Sequence, residues 1–146
     1  FFAGQPVLIV NTASKCGYTP QLRQLQELHA TYKSRGLIVL GVPCNDFGEQ
    51  EPEDEERVLQ YYQDVCVCEY GVTFPLTAKQ SILGESPHPF YTMIGDEVGE
   101  FALPKWNFHK YLLADGELVG MYPPAMVPTD AEVVAGIQHA LKKLGK

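Results

Sequence analysis

The stretch PVLIVNTASKCGYTPQLRQLQELHATYKSRGLIVLGVPC, residues 6–44, has the pattern of a βαβ unit. Its two ends, 6–11 and 37–44, are short apolar runs, which is typical of strands buried on both faces. Between them, apolar positions recur at helical spacing, and a glycine then marks the end of the helix: Leu22, Leu25, Leu28, Tyr32 and Gly36. Because the connections are short, we expect parallel strands joined by a right-handed crossover.

The middle of the chain is less regular. A second helix is predicted over residues 52–70, ending at Gly71, and a short strand is predicted over 72–76. Segment 80–105 contains scattered Gly, Pro and His and is predicted to be irregular.

The last third of the chain predicts a hairpin and a final helix. Strands over 108–114 and 117–122 flank Asp115-Gly116, a strong two-residue turn signal. Thr129 and Glu132 then form a capping box, followed by a buried stripe: Val133, Val134, Ile137, Leu141 and Leu144. The order βαβα, hairpin, α predicts an α/β fold with a central mixed sheet flanked by helices, in a thioredoxin-like arrangement.

Size and composition indicate one globular domain over residues 1–146, with 20% charged residues. The net charge of −7 argues against a nucleic-acid partner. No apolar run has the length of a membrane span, and no charged segment leads into an apolar one at the N-terminus, so we expect a cytoplasmic protein without stable membrane insertion. The chain lacks an initiator Met, which leaves room for a missing N-terminal segment.

The spacing of the cysteines and histidines argues against a structural metal site. The four cysteines at 16, 44, 66 and 68 contain no CxxC pair, and the four histidines do not cluster in sequence. A structural zinc site is therefore not expected, and we predict neither a metal nor a cofactor.

Cys16 is the strongest candidate for a functional residue. Pro20 suits the first helical position and Thr19 the cap before it, so Cys16 falls just before a helix N-terminus. Backbone N–H groups and the helix dipole there favour a thiolate. The alternative is a small, buried, inert cysteine. Thr19 stands where a thioredoxin-type motif would have its second cysteine, so no disulfide can close locally.

Four stretches of the chain resemble the glutathione peroxidase family. The stretch NTASKCGYTP, residues 11–20, resembles its peroxidatic motif, and PCNDFGEQEP, residues 43–52, its second signature. Residues 105–112, KWNFHKYL, resemble the third signature, and GVTFPL, residues 71–76, is a further match. The similarity runs in order along nearly the whole chain.

The resemblance implies a thioredoxin-fold peroxidase that reduces hydrogen peroxide or organic hydroperoxides, with lipid hydroperoxides among the candidate substrates. Its catalytic group carries over as Cys16, Gln50, Trp106 and Asn107. Cysteine replaces the selenocysteine of many members, which goes with slower chemistry and a thioredoxin-type reductant. Asp46 stands where Gln is commoner in the family, but Gln50 is present.

The chemistry of these residue types fits that role. Gln and Asn amides and the Trp indole N–H are neutral donors that can stabilise a negative sulfur and a departing alkoxide. Taken singly, each also has a structural interpretation: Gln50 as a loop residue, Trp106 as a core anchor and Asn107 as a turn residue.

A second thiol must then reduce the sulfenic acid that forms on Cys16. The resemblance places this resolving role at Cys66, with Cys68 as a nearby competitor, whereas Cys44 reads as a packed structural thiol. Cys66 falls on the apolar face of the second predicted helix, so we expect a Cys16–Cys66 disulfide to require unwinding of its last turns near Gly71.

Two other functions use the same cysteines. One is a peroxidase that takes electrons from glutathione, although no feature of the sequence identifies a glutathione pocket. The other is a redox sensor that passes its oxidation to a partner protein through a mixed disulfide. The short segment between Leu76 and Trp106 lacks the insertion that supports tetramers in some family members, so a monomer is expected.

Overall fold

A mixed sheet forms the centre of the computed structural model, which describes residues 4–13, 16–47, 60, 70–77, 82 and 88–146. The described strands are β1 (Pro6–Thr12), β2 (Ile38–Pro43), β3 (Lys110–Ala114) and β4 (Glu117–Tyr122), in the spatial order β2-β1-β3-β4. Strand β1 pairs parallel with β2 and antiparallel with β3, and β3 pairs antiparallel with β4. All seven residues of β1 are buried.

Helices cover both faces of this sheet. They are α1 (Gln21–Tyr32), α2 (Pro89–Glu97) and α3 (Ala131–Lys143), with short 3₁₀ turns at Lys33–Arg35 and Glu100–Ala102. Side chains of β1 alternate between the two faces, as the pleat requires. Leu8 and Val10 pack in the core with α1 and α3, whereas Val7 and Ile9 pack in the core with α2.

The βαβ unit and the hairpin are confirmed. Helix α1 connects the parallel strands β1 and β2, and Gly36 follows the 3₁₀ turn with φ +106°, a left-handed conformation that glycine adopts without strain. Asp115 and Gly116 both have positive φ, +51° and +82°, as a two-residue turn between twisted strands requires. The predicted mixed sheet flanked by helices is therefore correct.

Two predictions about the middle of the chain are wrong. Segment 80–105 was expected to be irregular, but it contains α2, which the Nδ1 atom of His88 caps by accepting the N–H of Phe90 at 3.2 Å. The strand predicted over 72–76 is reduced to one parallel bridge between Leu76 and Gly41. A Cβ atom on Gly41 would collide with the Leu76 side chain, so the close approach of this segment depends on glycine.

The cap of the last helix also differs from the prediction. Asp130, not Thr129, is the N-cap of α3, and its carboxylate accepts the N–H of Glu132 at 2.9 Å. Aspartate is among the best capping residues because its side chain satisfies an otherwise unpaired N–H group. The predicted apolar stripe is confirmed, since Val133, Ile137 and Leu141 are buried.

The predicted second helix lies almost entirely outside the described residues. Within it, Gln60 is helical, and Gly71 beyond its predicted end has φ +68°. No helix in the described ranges is both long and apolar enough to cross a membrane.

Candidate active site

Cys16 and Trp106 line the same cleft at one end of the sheet. The cleft has a volume of about 450 Å³. Its described lining comes from three segments that are far apart in sequence, the Cys16 turn, the loop before β3 and the loop after β4: Cys16, Gly17, Tyr18, Trp106, Pro123, Pro124 and Ala125. Cys16 is 7% exposed, and Trp106 is half-buried. The structure thus brings together two of the residues that the sequence nominated.

Backbone turns hold the Cys16 sulfur against an N–H group. The N–H of Tyr18 donates to the Cys16 Sγ at 3.3 Å, and the N–H of Thr19 donates to the Cys16 carbonyl at 3.0 Å. The sulfur of Cys16 thus has a fixed backbone donor beside it. The donor comes from the turn that precedes α1, whereas the sequence suggested N–H groups of the helix N-terminus itself.

The expected role of Thr19 as a helix cap is wrong. Pro20 is the N-cap of α1, and no side chain caps the helix, because the amides of Gln21 and Leu22 donate to the Tyr18 and Thr19 carbonyls. The Thr19 hydroxyl accepts the N–H of Cys16 at 3.0 Å and donates to the Ala13 carbonyl at 2.8 Å. It therefore fixes the turn that carries Cys16 instead of starting the helix.

Asn11, at the end of β1, holds the loop that carries Trp106. Its Nδ2 donates to the Trp106 carbonyl at 3.0 Å, and its Oδ1 accepts the N–H of His109 at 3.0 Å. Its backbone carbonyl also accepts the N–H of Phe108 at 2.7 Å. Phe108 has φ +67°, an unfavourable conformation for an aromatic residue that these bonds on either side of it maintain.

Asn107 is wholly buried and is not among the described residues that line the cleft. Its Nδ2 donates to the Phe47 carbonyl at 3.1 Å, and the Phe47 ring makes an edge-on contact with Trp106 at a centroid distance of 6.3 Å. Phe47 directly precedes the segment that carries Gln50 in the sequence. Asn107 therefore ties the Trp106 loop to the chain leading into that segment.

Two buried polar side chains bind the backbone of the third wall of the cleft, residues 123–125. Gln21, the first residue of α1, donates from Nε2 to the Pro124 carbonyl at 2.8 Å. Lys110, the first residue of β3, donates from Nζ to the Pro124 carbonyl at 3.1 Å and to the Pro123 carbonyl at 3.4 Å. Both side chains are buried, and Lys110 has no exposed surface.

Burial shifts the protonation of three groups around this end of the sheet. It lowers the pKa of Lys110 to about 7, and, with the nearby positive charges of Lys110 and Lys105, it lowers the pKa of His109 to about 4. Burial also raises the pKa of Cys44 to about 12. Cys44 has no exposed surface and accepts the N–H of Asp46 at 3.4 Å, which confirms its interpretation as a packed thiol.

Three of the predicted functional residues, Gln50, Cys66 and Cys68, lie outside the described residues. Conversely, sequence reasoning missed Gln21 and Lys110. A signal for Lys110 was present, because a lysine inside an otherwise apolar strand must find partners for its ammonium group. Gln21 gave no such signal, since polar residues are ordinary in the first turn of a helix.

The geometry agrees with a comparison of the sequence with known families. The sequence profile described as glutathione peroxidase matches residues 1–95, well over half of the chain. The chain belongs to the glutathione peroxidase family. It is therefore a peroxidase, an oxidoreductase, and the resemblance found in the sequence is confirmed.

Several curated relatives within the family are similar over most of their length. The glutathione peroxidase homolog BsaA of Bacillus subtilis is 45% identical over 136 residues, covering 90% of this chain and 82% of that protein. The thioredoxin/glutathione peroxidase BtuE of Escherichia coli is 39% identical, with 97% and 88% covered. The hydroperoxy fatty acid reductase gpx1 of Synechocystis is also 39% identical, with 96% and 85% covered.

Solved structures confirm the thioredoxin-like fold of this glutathione peroxidase family member. The structure described as Trgpx in apo form superposes with a TM-score of 0.71 at 33% identity, covering 97% of this chain and 83% of that chain. A thiol:disulfide interchange protein of the thioredoxin family from Chlorobium tepidum superposes with a TM-score of 0.61 at 16% identity, a likeness of fold alone.

Proposed function

We propose that the chain reduces hydrogen peroxide and organic hydroperoxides with Cys16 as the attacking thiolate, and that thioredoxin returns the electrons. The observation that carries this proposal is the shared cleft of Cys16 and Trp106, with a backbone N–H directed at the sulfur. A thiolate that opens to a cleft and is surrounded by neutral donors is suited to attack on a peroxide oxygen.

The first step transfers one oxygen to sulfur. The Cys16 thiolate attacks the terminal oxygen of ROOH, the S–O bond forms as the O–O bond breaks, and RO⁻ leaves with the bonding electron pair. The alkoxide takes a proton and departs as an alcohol, or as water when R is hydrogen. Sulfur is oxidised by two electrons to sulfenic acid, and the peroxide is reduced by two.

The developing negative charge needs donors in the cleft. Trp106 and Tyr18 lie in its described walls, and the Tyr18 N–H donates to the sulfur. We assign the Trp106 indole N–H and the Gln50 amide as the further donors. Asn107 is buried and absent from the described lining, so we assign it the positioning of these donors: its amide joins the Trp106 loop to the chain that continues toward Gln50.

The second step removes the oxygen as water. We assign Cys66 as the thiol that attacks the Cys16 sulfur to form a disulfide, with Cys68 as its competitor, and thioredoxin as the dithiol that then reduces it. The Escherichia coli relative is a thioredoxin/glutathione peroxidase by name, which supports thioredoxin and keeps glutathione as the alternative. The Synechocystis relative is a hydroperoxy fatty acid reductase, which supports fatty acid hydroperoxides as substrates. We propose a monomer as the working unit.

Peroxide consumption coupled to thioredoxin and its reductase tests the proposal, with Cys16→Ser, Cys66→Ser and Cys44→Ser compared with the wild type. We expect Cys16→Ser to lose activity with every peroxide, and Cys66→Ser to keep one rapid oxidation while losing thioredoxin-dependent turnover. Cys44→Ser is the matched control, because Cys44 lies on another face of the core, and it should retain turnover.

The same assay separates the alternatives. Turnover with glutathione that survives in Cys66→Ser would replace thioredoxin with glutathione as the reductant. Oxidation of Cys16 without turnover on either reductant would favour the redox sensor. Peptide mass spectrometry after one equivalent of peroxide reports the disulfide directly, and a Cys16–Cys68 link would overturn the assignment of Cys66.

A further inference from the structure

The loop over residues 123–125 is unusual in that two buried side chains from other elements bind its backbone. Lys110 and Gln21 together donate three hydrogen bonds to the Pro123 and Pro124 carbonyls. The N–H of Met126 donates to the Pro123 carbonyl at 3.1 Å and closes the loop on itself. Because proline has no N–H, this loop offers mainly carbonyls for anchoring.

Burial of the Lys110 ammonium group costs desolvation free energy, which a residue at a core position would normally avoid. Its ammonium group has left water entirely, and its hydrogen-bond partners among the described residues are the two proline carbonyls. A Met side chain would fill similar space at this strand position without that desolvation cost. We therefore explain the lysine by the segment that it binds, residues 123–125, which line the same cleft as Cys16.

We propose that Lys110 and Gln21 are positioning residues that fix the loop 123–125 as an apolar wall, and that the organic group of a hydroperoxide packs against this wall. The inference rests on the proposed peroxidase function and adds a determinant of substrate preference to it. Neither side chain is among the described residues lining the cleft, so both act through the backbone carbonyls of the loop.

The composition and size of the cleft agree with such a substrate. Its described walls away from the sulfur are aromatic or aliphatic: Tyr18, Trp106, Pro123, Pro124 and Ala125. A volume of about 450 Å³ lies in the range of sites that enclose small organic molecules. Hydrogen peroxide fills only a small part of this space, whereas an aryl or alkyl hydroperoxide brings an apolar group that can pack against residues 123–125.

The test compares two peroxides in one variant. Trp106 is the single tryptophan of the chain, so its fluorescence in stopped flow reports the oxidation of Cys16 directly. For Lys110→Met, we expect the ratio of the second-order rate constants for cumene hydroperoxide and hydrogen peroxide to fall by roughly fivefold, the loss expected from poorer contact with one apolar wall. Lys142→Met removes an exposed lysine and should leave the ratio unchanged.

Gln21→Met loosens the same wall from the other side and serves if Lys110→Met does not fold. Both variants should also speed hydrogen exchange at the Met126 amide, which a loss of global stability alone would not single out. An unchanged or increased ratio in folded variants of both kinds would overturn the inference and leave the peroxidase assignment intact. Failure of the wild type to react with either peroxide would instead overturn the proposed function.

Discussion

At the scale of single residues, the Thr19 hydroxyl determines the conformation of the Cys16 turn. It is both acceptor and donor, for the N–H of Cys16 and the carbonyl of Ala13, and all three residues are buried. Removing the hydroxyl while keeping the side-chain volume leaves one buried donor and one buried acceptor without a partner. Such groups cost about 1–3 kcal/mol each when they are left unsatisfied.

We therefore predict that Thr19→Val lowers the free energy of unfolding by about 2 kcal/mol, because valine is isosteric but cannot hydrogen-bond. The turn should also lose its fixed geometry, and the rate constant of Cys16 with hydrogen peroxide should fall by about tenfold. Urea denaturation and stopped-flow Trp106 fluorescence measure the two effects. Thr19→Ser keeps the hydroxyl and is the control, so equal losses in both variants would contradict the argument.

At the scale of elements, Gly136 sets how closely α3 packs on the sheet. It lies in the middle of the helix, and a Cβ atom there would collide with the Tyr122 hydroxyl at the end of β4. Its next neighbours would be Leu112 Cδ2 at 3.3 Å, which a small shift of a flexible side chain relieves, and Tyr122 Cζ at 3.4 Å, at the limit of ordinary contact. The hydroxyl oxygen is therefore the main obstacle to a side chain at this position.

This geometry predicts that Gly136→Ala changes stability in opposite directions in the wild type and in a Tyr122→Phe background. Glycine to alanine inside a helix normally stabilises by about 1 kcal/mol, but Gly136→Ala in the wild type should destabilise by about 1–3 kcal/mol through overpacking. In a Tyr122→Phe background the hydroxyl is gone, and Gly136→Ala should become neutral or stabilising. Chemical denaturation of the four proteins gives the coupling energy, and additive effects would refute the proposed collision.

Some helices and strands could be predicted from the sequence, and others could not. The βαβ unit and the hairpin follow local rules, the period of apolar residues and the turn chemistry of Gly36 and Asp115-Gly116, and both were found. Helix α2 was missed because histidine is a less common cap than Ser, Thr, Asp or Asn. The strand expected over residues 72–76 does not form, because its pairing with β2 is limited to a single bridge at Leu76.

The candidate site could be predicted only in part, because some of its residues lie in local motifs and others meet only in the folded chain. Cys16 and Trp106 could be nominated because they lie in recognisable motifs. The loop 123–125 and its anchors could not, since the bond from Gln21 to Pro124 joins residues 103 positions apart. Such a contact arises because α1 begins close to the place where β4 ends, which is a property of the assembled fold.

At the scale of the whole molecule, buried titratable groups set the pH dependence of stability. The folded-state pKa values of His109 and Lys110 are lowered from 6.5 to about 4 and from 10.5 to about 7. In those intervals the unfolded chain binds more protons, so stability rises with pH. The pKa of Cys44 is raised from 9.0 to about 12, so its contribution is complete below pH 9 and is lost as the pH rises toward 12. Of these three groups, Lys110 alone changes the free energy of unfolding between pH 7 and 9.

We accordingly predict that Lys110→Met flattens the pH dependence of unfolding in that window. The wild type should gain about 2 kcal/mol relative to the variant between pH 7 and 9, because the folded chain has released a proton that the unfolded chain still holds. Urea denaturation at several pH values measures this difference, and any constant offset from the lost hydrogen bonds to the proline carbonyls cancels in the slope. Lys142→Met, at an exposed position, should follow the wild type. Parallel curves for the wild type and Lys110→Met would mean that Lys110 stays charged in the fold across this range, with its desolvation offset by the two carbonyls.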